Sequence, residues 1–555
     1  MQRRYMLSNR HFLFFSFLAL AILSAAISAE EPLLVTISKE TTRITAPLKS
    51  NGYPDYVAAL NAQQSAGVTA ENNLAVTIWN TIGTAQMSPK MVAPYFKHLK
   101  MSPPAKISGY YLGYHDWFEK TQFTEEKTSA LTPQEIEVLR KAKKTDYEIC
   151  LERPWTSAEF PQMAKWLKFN QRLLVNFVSA ANRRSHFYSP YVVGSEHQKQ
   201  SLPELIGVLL PAAQQSRELA RGLRLFANNQ IATGDLPSAI ATSNAIHRLG
   251  RLSSQGSTLI EGLVGIAVDR IGFNLDESII KNDNVTDAQL QLLDKHLRAL
   301  PPISSLAGKI DVTERYMFLD TTISLARNGP QALAGLNEDN SSSPSPALNN
   351  ILKGVTTAVI DWDHILRTGN YWYDEIKKVN SIKSPQQRKL ASEMLEIRMT
   401  ETARAAAHPA SIAKQVLFSG KSLRTITSNQ IANIMVGLLM PALTAAVQAE
   451  TRDIAIQQVT ITSIAITRYR NQHGHYPDNL SAVKGLFIDE LPQDPFTGRP
   501  LKYLQDPKGF VLYSFGDNMT DDNGKNRTDP DNAHGDWDDI RFQVDQKTKL
   551  PAKSR

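Results

Sequence analysis

The sequence predicts a mainly α-helical body followed by a small α+β domain at its C-terminal end. Three observations carry this reading. Helical periodicity and helix-start signatures dominate from about 132 to 410, the texture changes at Ile431, and a strand-like run set among turn motifs follows only after Pro477. Composition agrees: of 555 residues 42% are hydrophobic and 21% charged, ordinary for a globular chain and room for three or four domains of ~150 residues each.

The N-terminus has three parts. Arg3, Arg4 and Arg10 precede an uncharged run from Phe12 to Ile27, and small residues (Ser24, Ala25, Ala26, Ser28, Ala29) lead into Glu30-Glu31-Pro32. That order predicts a secretory signal over 1–29, cut after Ala29. The chain is therefore expected in the periplasm, the cell envelope or outside the cell. Its apolar run is shorter than the ~20 residues of a spanning helix, so membrane contact is expected only through this segment if it stays uncut. Lys and Arg exceed Asp and Glu by 61 to 54. That excess is too small and dispersed for a nucleic-acid partner. Cys150 stands alone, which excludes an intramolecular disulfide and a cysteine-type zinc site.

Residues 30–130 read as a mixed region. Leu33 to Ile37 predicts a short strand and Tyr56 to Thr81 one or two helices, while Pro89, Pro94, Pro103 and Pro104 exclude a single long helix. A helical domain is expected over 131–425. Thr132-Pro133-Gln134-Glu135 has a cap residue, proline at the first helical position and glutamate three residues after the cap. Further starts are expected at Ser157, Ser201 and Thr286-Asp287. Helices over Arg217–Asn228, Leu236–Leu252 and Leu259–Ile279 are separated by a turn at Gly234-Asp235 and a second break near 255. The segment Leu225 to Leu249, with Ala239 and Ala245 at packing positions, resembles one tetratricopeptide hairpin; an ordinary antiparallel helix pair is the alternative. Asn337 to Pro346 is a polar, Pro/Ser-rich linker.

The C-terminal region, 430–545, starts with the apolar run Ile431 to Val447, interrupted by Pro441, and a polar helix from Gln448 to Asn471. The apolar run reads as a buried helix linking the two halves, with a membrane span as the alternative. There follow Tyr469-Arg470-Asn471-Gln472-His473-Gly474-His475-Tyr476-Pro477, Leu491-Pro492-Gln493-Asp494-Pro495, the run Gly509 to Gly516 ending Ser514-Phe515-Gly516, and Asp538-Asp539-Ile540. In this order the motifs resemble the major pseudopilin of type II secretion, over about a fifth of the chain. The resemblance implies a long helix packed on a short antiparallel sheet. The family's prepilin-peptidase site has no counterpart before Ile431, where Thr427-Ser428-Asn429-Gln430 stands, so processing and polymerisation as a pilin are not expected. Residues 546–555 are expected to form a disordered tail.

The resemblance also implies a calcium ion. The family's Asp-Asp pair falls on Asp538 and Asp539, and its other aspartate position on Asn518, beside Asp517. From 517 to 539 there are eight Asp against two basic residues, Lys525 and Arg527. Such density of carboxylate oxygens suits a hard cation taking 6–8 oxygen ligands. The metal set expected is Asp517, Asn518, Asp522, Asp538 and Asp539, with Ca²⁺ as cofactor; a solvated acidic loop is the alternative. The spacing is not that of an EF-hand, since Gly524 at its sixth position places Met519 first and Pro530 twelfth.

Other polar clusters offer weaker chemistry. His115-Asp116 and Asp361-Trp362-Asp363-His364, with Asp374-Glu375 beyond, lack zincin spacing and a nucleophile context. His473 and His475 flank the turn glycine Gly474, and no phosphate-binding glycine loop occurs. No catalytic or cofactor-binding residue besides the metal set is therefore expected. The chain reads as a non-enzymatic structural or interaction protein of the cell envelope, its helical body facing a protein partner. Two alternatives are a secreted hydrolase using Asp363, His364 and Asp374, and an accessory component of a type II secretion-like apparatus.

Overall fold

The computed structural model describes residues 32–544 except 106–108, 125–126, 128, 130, 195–201, 337–347, 349–350, 353–359, 409–419, 441–442, 507–508 and 533–534. The signal, Ser201, the polar linker, Pro441 and the tail thus lie outside the described residues. What is described is mainly helical, with small antiparallel sheets.

The strand expected at Leu33–Ile37 does not form. Among the described residues no strand pairs with it; instead the Thr36 amide and hydroxyl donate to Asp363 at 2.8 and 2.6 Å. Asp55 caps α1 (Tyr56–Gln64) and Asn73 caps α2 (Leu74–Ile82), each side chain accepting an amide of the first turn. Pro89 opens α3 (Pro89–His98), and α4 (Tyr114–Gln122) follows. Thr132 and Glu135 close the reciprocal capping box of α5 (Pro133–Glu152). The next helix, α6 (Pro161–Ala181), begins at a proline rather than at Ser157. There Thr156 and Glu159 exchange bonds within a turn, and proline takes the first helical position, where no amide is needed.

A two-residue ladder joins β1 (Val192–Val193) to β2 (Val208–Leu209). Three helices then pack on one another: α7 (Pro211–Ala232), α8 (Leu236–Ser253) and α9 (Leu259–Ile280). Between the first two, Gly234 takes φ +81° and Asp235 caps α8. The α8–α9 crossing is close because Gly250 has no side chain; a Cβ there would sit 2.7 Å from the Asp269 nitrogen. Thr286 and Gln289 box α10 (Asp287–Arg298), where the sequence placed a start. A short α11 (Leu306–Lys309) runs through a π turn (Ile310–Glu314) into α12 (Arg315–Asn328). Next come α13 (Trp362–Asn380), capped by Asp361, α14 (Pro385–Ala407), capped by Ser384, and α15 (Leu423–Leu439), capped by Ser422.

The last helix, α16 (Leu443–His473), ends at Gly474 and packs on a meander of β3 (Lys502–Asp506), β4 (Gly509–Ser514) and β5 (Ile540–Val544), in the order β3-β4-β5. Central β4 is buried along nearly its whole length, whereas edge strand β3 is mostly exposed. Two apolar cores result. One joins side chains of α2–α10 with α16 and the C-terminal sheet; the other joins the N-terminal segment and α1 with α12–α15. Ala446 lies in the second core and Ala455 to Ile466 in the first, so α16 runs from one to the other. Ile431 to Val436 is buried within α15, and among the described residues no helix is long and apolar enough to cross a membrane.

Candidate functional site

The motifs read from the C-terminal sequence meet in space. Asp494, fully buried, accepts from the Phe496 amide at 3.2 Å, the Thr497 hydroxyl at 2.7 Å and the Ser514 hydroxyl at 2.8 Å. The Leu-Pro-x-Asp-Pro turn is thereby pinned to the end of β4. Two residues on, Gly516 takes φ +66°, and a Cβ there would collide with Asp538. This close approach lets the Asp538 carboxylate accept from the amides of Asp517 (2.9 Å) and Asn518 (3.2 Å). Asp539 accepts from the Gly524 amide at 2.8 Å. Asp522 accepts from the Asn518 side chain (2.9 Å) and the Asp538 amide (3.1 Å). The loop between β4 and β5 is thus folded back on its own carboxylates, with Asp538 and Asp539 only 4% and 2% exposed.

Its two ends differ electrostatically. At one end Arg452 of α16 pairs with Asp517, and Arg527 lies 3.5 Å from Asp517 and 3.6 Å from Asp538. Asp538 is nonetheless pushed above its ordinary range by burial, with the Asp517 charge adding. At the other end burial, reinforced by the carboxylates of Asp522 and Asp521, pushes Asp539 up to about 7. Asp521 itself is held low despite its own burial penalty, chiefly by the Tyr513 hydroxyl, 2.8 Å away.

Within this loop two carboxylate oxygens, Asp517 Oδ1 and Asp539 Oδ1, are buried without a hydrogen-bond partner among the described residues, as are both of Asp453 in α16. Orphaned anionic oxygens of this kind suit a hard cation. Among the described residues, however, no three His, Cys, Asp or Glu side chains converge at metal-binding distances. The fit to calcium is therefore strongest at Asp539 and Asp522, which have no cation within ion-pair distance among the described residues. At Asp517 and Asp538 a cation would compete with Arg452 and Arg527. A narrow cleft of about 40 Å³ adjoins Asp517, with Lys389 and Phe496 among its walls.

The weaker clusters have structural occupations. Asp361 caps α13, Asp363 holds Thr36, and the His364 ring nitrogen meets Asn429 at 2.6 Å. Asp374 pairs with buried Arg315 at 2.8 Å and Glu375 with Lys378 at 2.6 Å. Eleven residues of helical rise separate Asp363 from Asp374, about 16 Å, too far to act on one substrate atom. His115 leans on Tyr147 and Asp116 accepts from Gln86 at 3.1 Å. His473 stacks on Tyr469 at 4.0 Å between ring centroids and donates to that residue's carbonyl. His475 donates to the Tyr476 carbonyl, and the two histidine rings stand 6.5 Å apart.

Sequence reasoning missed a buried charge cluster between α8, α9 and α16. His247 sits between Asp269 (2.6 Å) and Asp276 (2.9 Å), so both ring nitrogens carry protons and the ring is an imidazolium. Burial alone would lower its pKa; the Asp276 and Asp269 charges outweigh it and raise the group to about 10. Arg251 holds Asp269 at 2.5 Å and reaches Asp453 of α16 at 3.8 Å. Burial works against the Asp269 charge, yet Arg251 and then His247 hold its pKa low. Asp453 goes the other way: burial and the Asp269 charge push its pKa well above the ordinary carboxylate range. The available signal was a His/Arg pair at i, i+4 on one apolar helix and an Asp pair at i, i+7 on the next. No family model, curated protein or solved structure matches the chain.

Proposed function

We propose that the chain is an exported, non-enzymatic structural or interaction protein of the cell envelope, with a pseudopilin-like C-terminal domain stiffened by calcium. The observation that carries this reading is the folded acidic loop. Asp538 and Asp539 are buried against the end of β4, and two of the loop's carboxylate oxygens have no partner. A merely solvated acidic loop would keep its carboxylates in water. The motif residues Asp494, Ser514, Gly516 and Asp538 also meet in one place, as an inherited pseudopilin-like scaffold requires. Asp517, Asn518, Asp522, Asp538 and Asp539 would hold the ion. It would supply the positive charge that the Asp539 end lacks, fixing the loop without chemistry of its own. The helical body, whose best-looking polar residues are spent on internal contacts, is the surface for a protein partner.

The test is calcium titration of the whole protein, following thermal unfolding with and without chelator. The full chain is needed because α16 belongs to both cores. A site present only in the folded state stabilises by RT ln(1 + [L]/Kd), about 2.7 kcal/mol at a hundredfold excess over Kd. A saturable rise in Tm, abolished by Asp538→Ala with Asp539→Ala, is the expected result. A folded protein whose Tm ignores calcium would mean that Arg452 and Arg527 close the loop unaided. Crosslinking in intact cells, followed by recovery of an envelope partner through the helical body, tests the interaction role separately.

A further inference from the structure

Asp320, Ile323, Ser324, Arg327 and Asn328 recur at helical spacing on one face of α12, a face buried at Asp320, Ile323 and Ser324 and open at Arg327. It forms one wall of a polar cavity of about 270 Å³. The segment before α1 supplies Lys49 and Tyr53 to the opposite side, and the loop before β2 supplies Pro203 and Glu204. This volume lies just below the ~300–1,000 Å³ of typical ligand pockets, so only a small ligand fits.

The charges in the cavity are unevenly paired. Lys49 and Glu204 neutralise each other at 3.1 Å. Asp320, 6% exposed, accepts from the Leu205 amide at 3.0 Å and has no cation within ion-pair distance among the described residues. Arg327 lies with its guanidinium over the Tyr53 ring, 4.8 Å from the centroid, and also has no carboxylate partner among the described residues. A guanidinium held against an aromatic face keeps its hydrogen-bonding edge free for an anion. One uncompensated anion and one uncompensated cation thus line the same cavity, seven residues apart on one helix, about 10 Å along its axis.

We propose that this cavity binds a small zwitterion of amino-acid to dipeptide size, its carboxylate on Arg327 and its ammonium group at Asp320. A ligand of one or two residues, at about 3.5 Å each with a charge-assisted hydrogen bond of about 2.8 Å at either end, is on the scale of that spacing along the helix. Ser324 and Asn328, already bonded to each other at 3.2 Å, stand between the two ends to meet the ligand's peptide group. The site is independent of the acidic loop and of calcium.

Isothermal titration of the whole protein tests this, using free L-alanine, L-alanyl-L-alanine, its N-acetyl derivative and its C-terminal amide. The expected result is saturable binding of at least one free zwitterion, weakened about tenfold or more when either end is blocked. Arg327→Gln, at an exposed side chain, should weaken binding similarly while leaving the Tm unchanged. Asp320→Asn gives a second reading wherever its Tm matches that of the parent. Absence of saturable binding by either free compound at millimolar concentration, equal binding of the blocked forms, or an unchanged Kd in Arg327→Gln would each overturn the proposal and leave a water-filled cavity.

Discussion

At the α8–α9 crossing Asp269 and Asp276 are buried against two cations, His247 and Arg251. In the loop between β4 and β5, Asp538 and Asp539 are buried mainly against backbone amides; Arg452 and Arg527 lie within ion-pair distance of Asp538, and among the described residues no cation does so for Asp539. Both places take carboxylates out of water, which is costly unless the charge is met. The first meets it internally, and the pKa directions say so: Asp269 is held low and His247 is raised to about 10. In the second, Asp539 rises to about 7 and its Oδ1 has no partner. On the function proposed above, the comparison separates a weld from a receptor. A charge cluster balanced from within fixes helices to each other, whereas one left unbalanced has a use for a partner from outside.

The largest effect is expected at the weld. His247→Leu removes the cation between two fully buried aspartates, and breaking such a pair typically costs about 3–5 kcal/mol. Urea unfolding of the variant should show a loss of that size, and a loss under about 1 kcal/mol would mean the cluster is not a weld. The parent protein carries a pH signature too. The folded pKa of His247 lies above its ordinary 6.5, so its stabilisation is complete below about 6.5 and disappears as pH rises through about 10. Asp269, held low, contributes above its ordinary range and loses that contribution as pH falls through its folded pKa. A midpoint that falls steeply between pH 8 and 10 in the parent but not in His247→Leu is the expected outcome.

The same chemical change should have a different sign at the two places. Asp269→Asn deletes a charge that Arg251 and His247 need, and should destabilise by several kcal/mol. Asp539→Asn deletes a charge that burial and its acidic neighbours oppose. In chelator at pH 8 it should leave stability within about 1 kcal/mol of the parent, or raise it. Thermal scans of the two variants side by side decide the matter. Equal losses would abolish the distinction between weld and receptor.

How much of this was legible beforehand depended on how far apart the interacting residues lie in the chain. Caps are local, and Thr132/Glu135 and Thr286 start their helices where the sequence placed them. Ser157 failed as a start because Pro161 is the better first helical residue and Thr156 with Glu159 made a turn instead. Leu33 to Ile37 has the composition of a strand, but strand formation needs a neighbour, and Thr36 found Asp363, 327 residues further along the chain. The acidic loop was visible as a density of aspartates. Its division into an arginine-capped end and an uncapped end was not, because Arg452 comes from α16. The His247 cluster left only the spacing of its members along each helix as a signal, since its charges meet only when α8, α9 and α16 pack.

The smallest effect belongs to the pair that closes the acidic loop from outside. Arg541 of β5 grips Asp529 through both guanidinium nitrogens, at 2.7 and 2.8 Å, and Asp529 also accepts from the Asn526 amide at 2.7 Å. The pair is partly exposed, so water and salt screen it, and an exposed pair typically contributes about 0.2–1 kcal/mol. Asp529→Asn should therefore lower stability by no more than about 1 kcal/mol, the loss shrinking in high salt. The Arg541 hydrogen bond holds the Asp529 pKa below its ordinary 3.8, so this contribution is present above about pH 4 and vanishes as pH falls through the lowered value. Neither salt nor Asp529→Asn should alter the response to calcium if the ion gathers at Asp539 and Asp522. If Asp529→Asn removes that response while the Tm in chelator hardly moves, the uncompensated charge lies on the Arg541 side of the loop, and the receptor end has to be redrawn around Asp529.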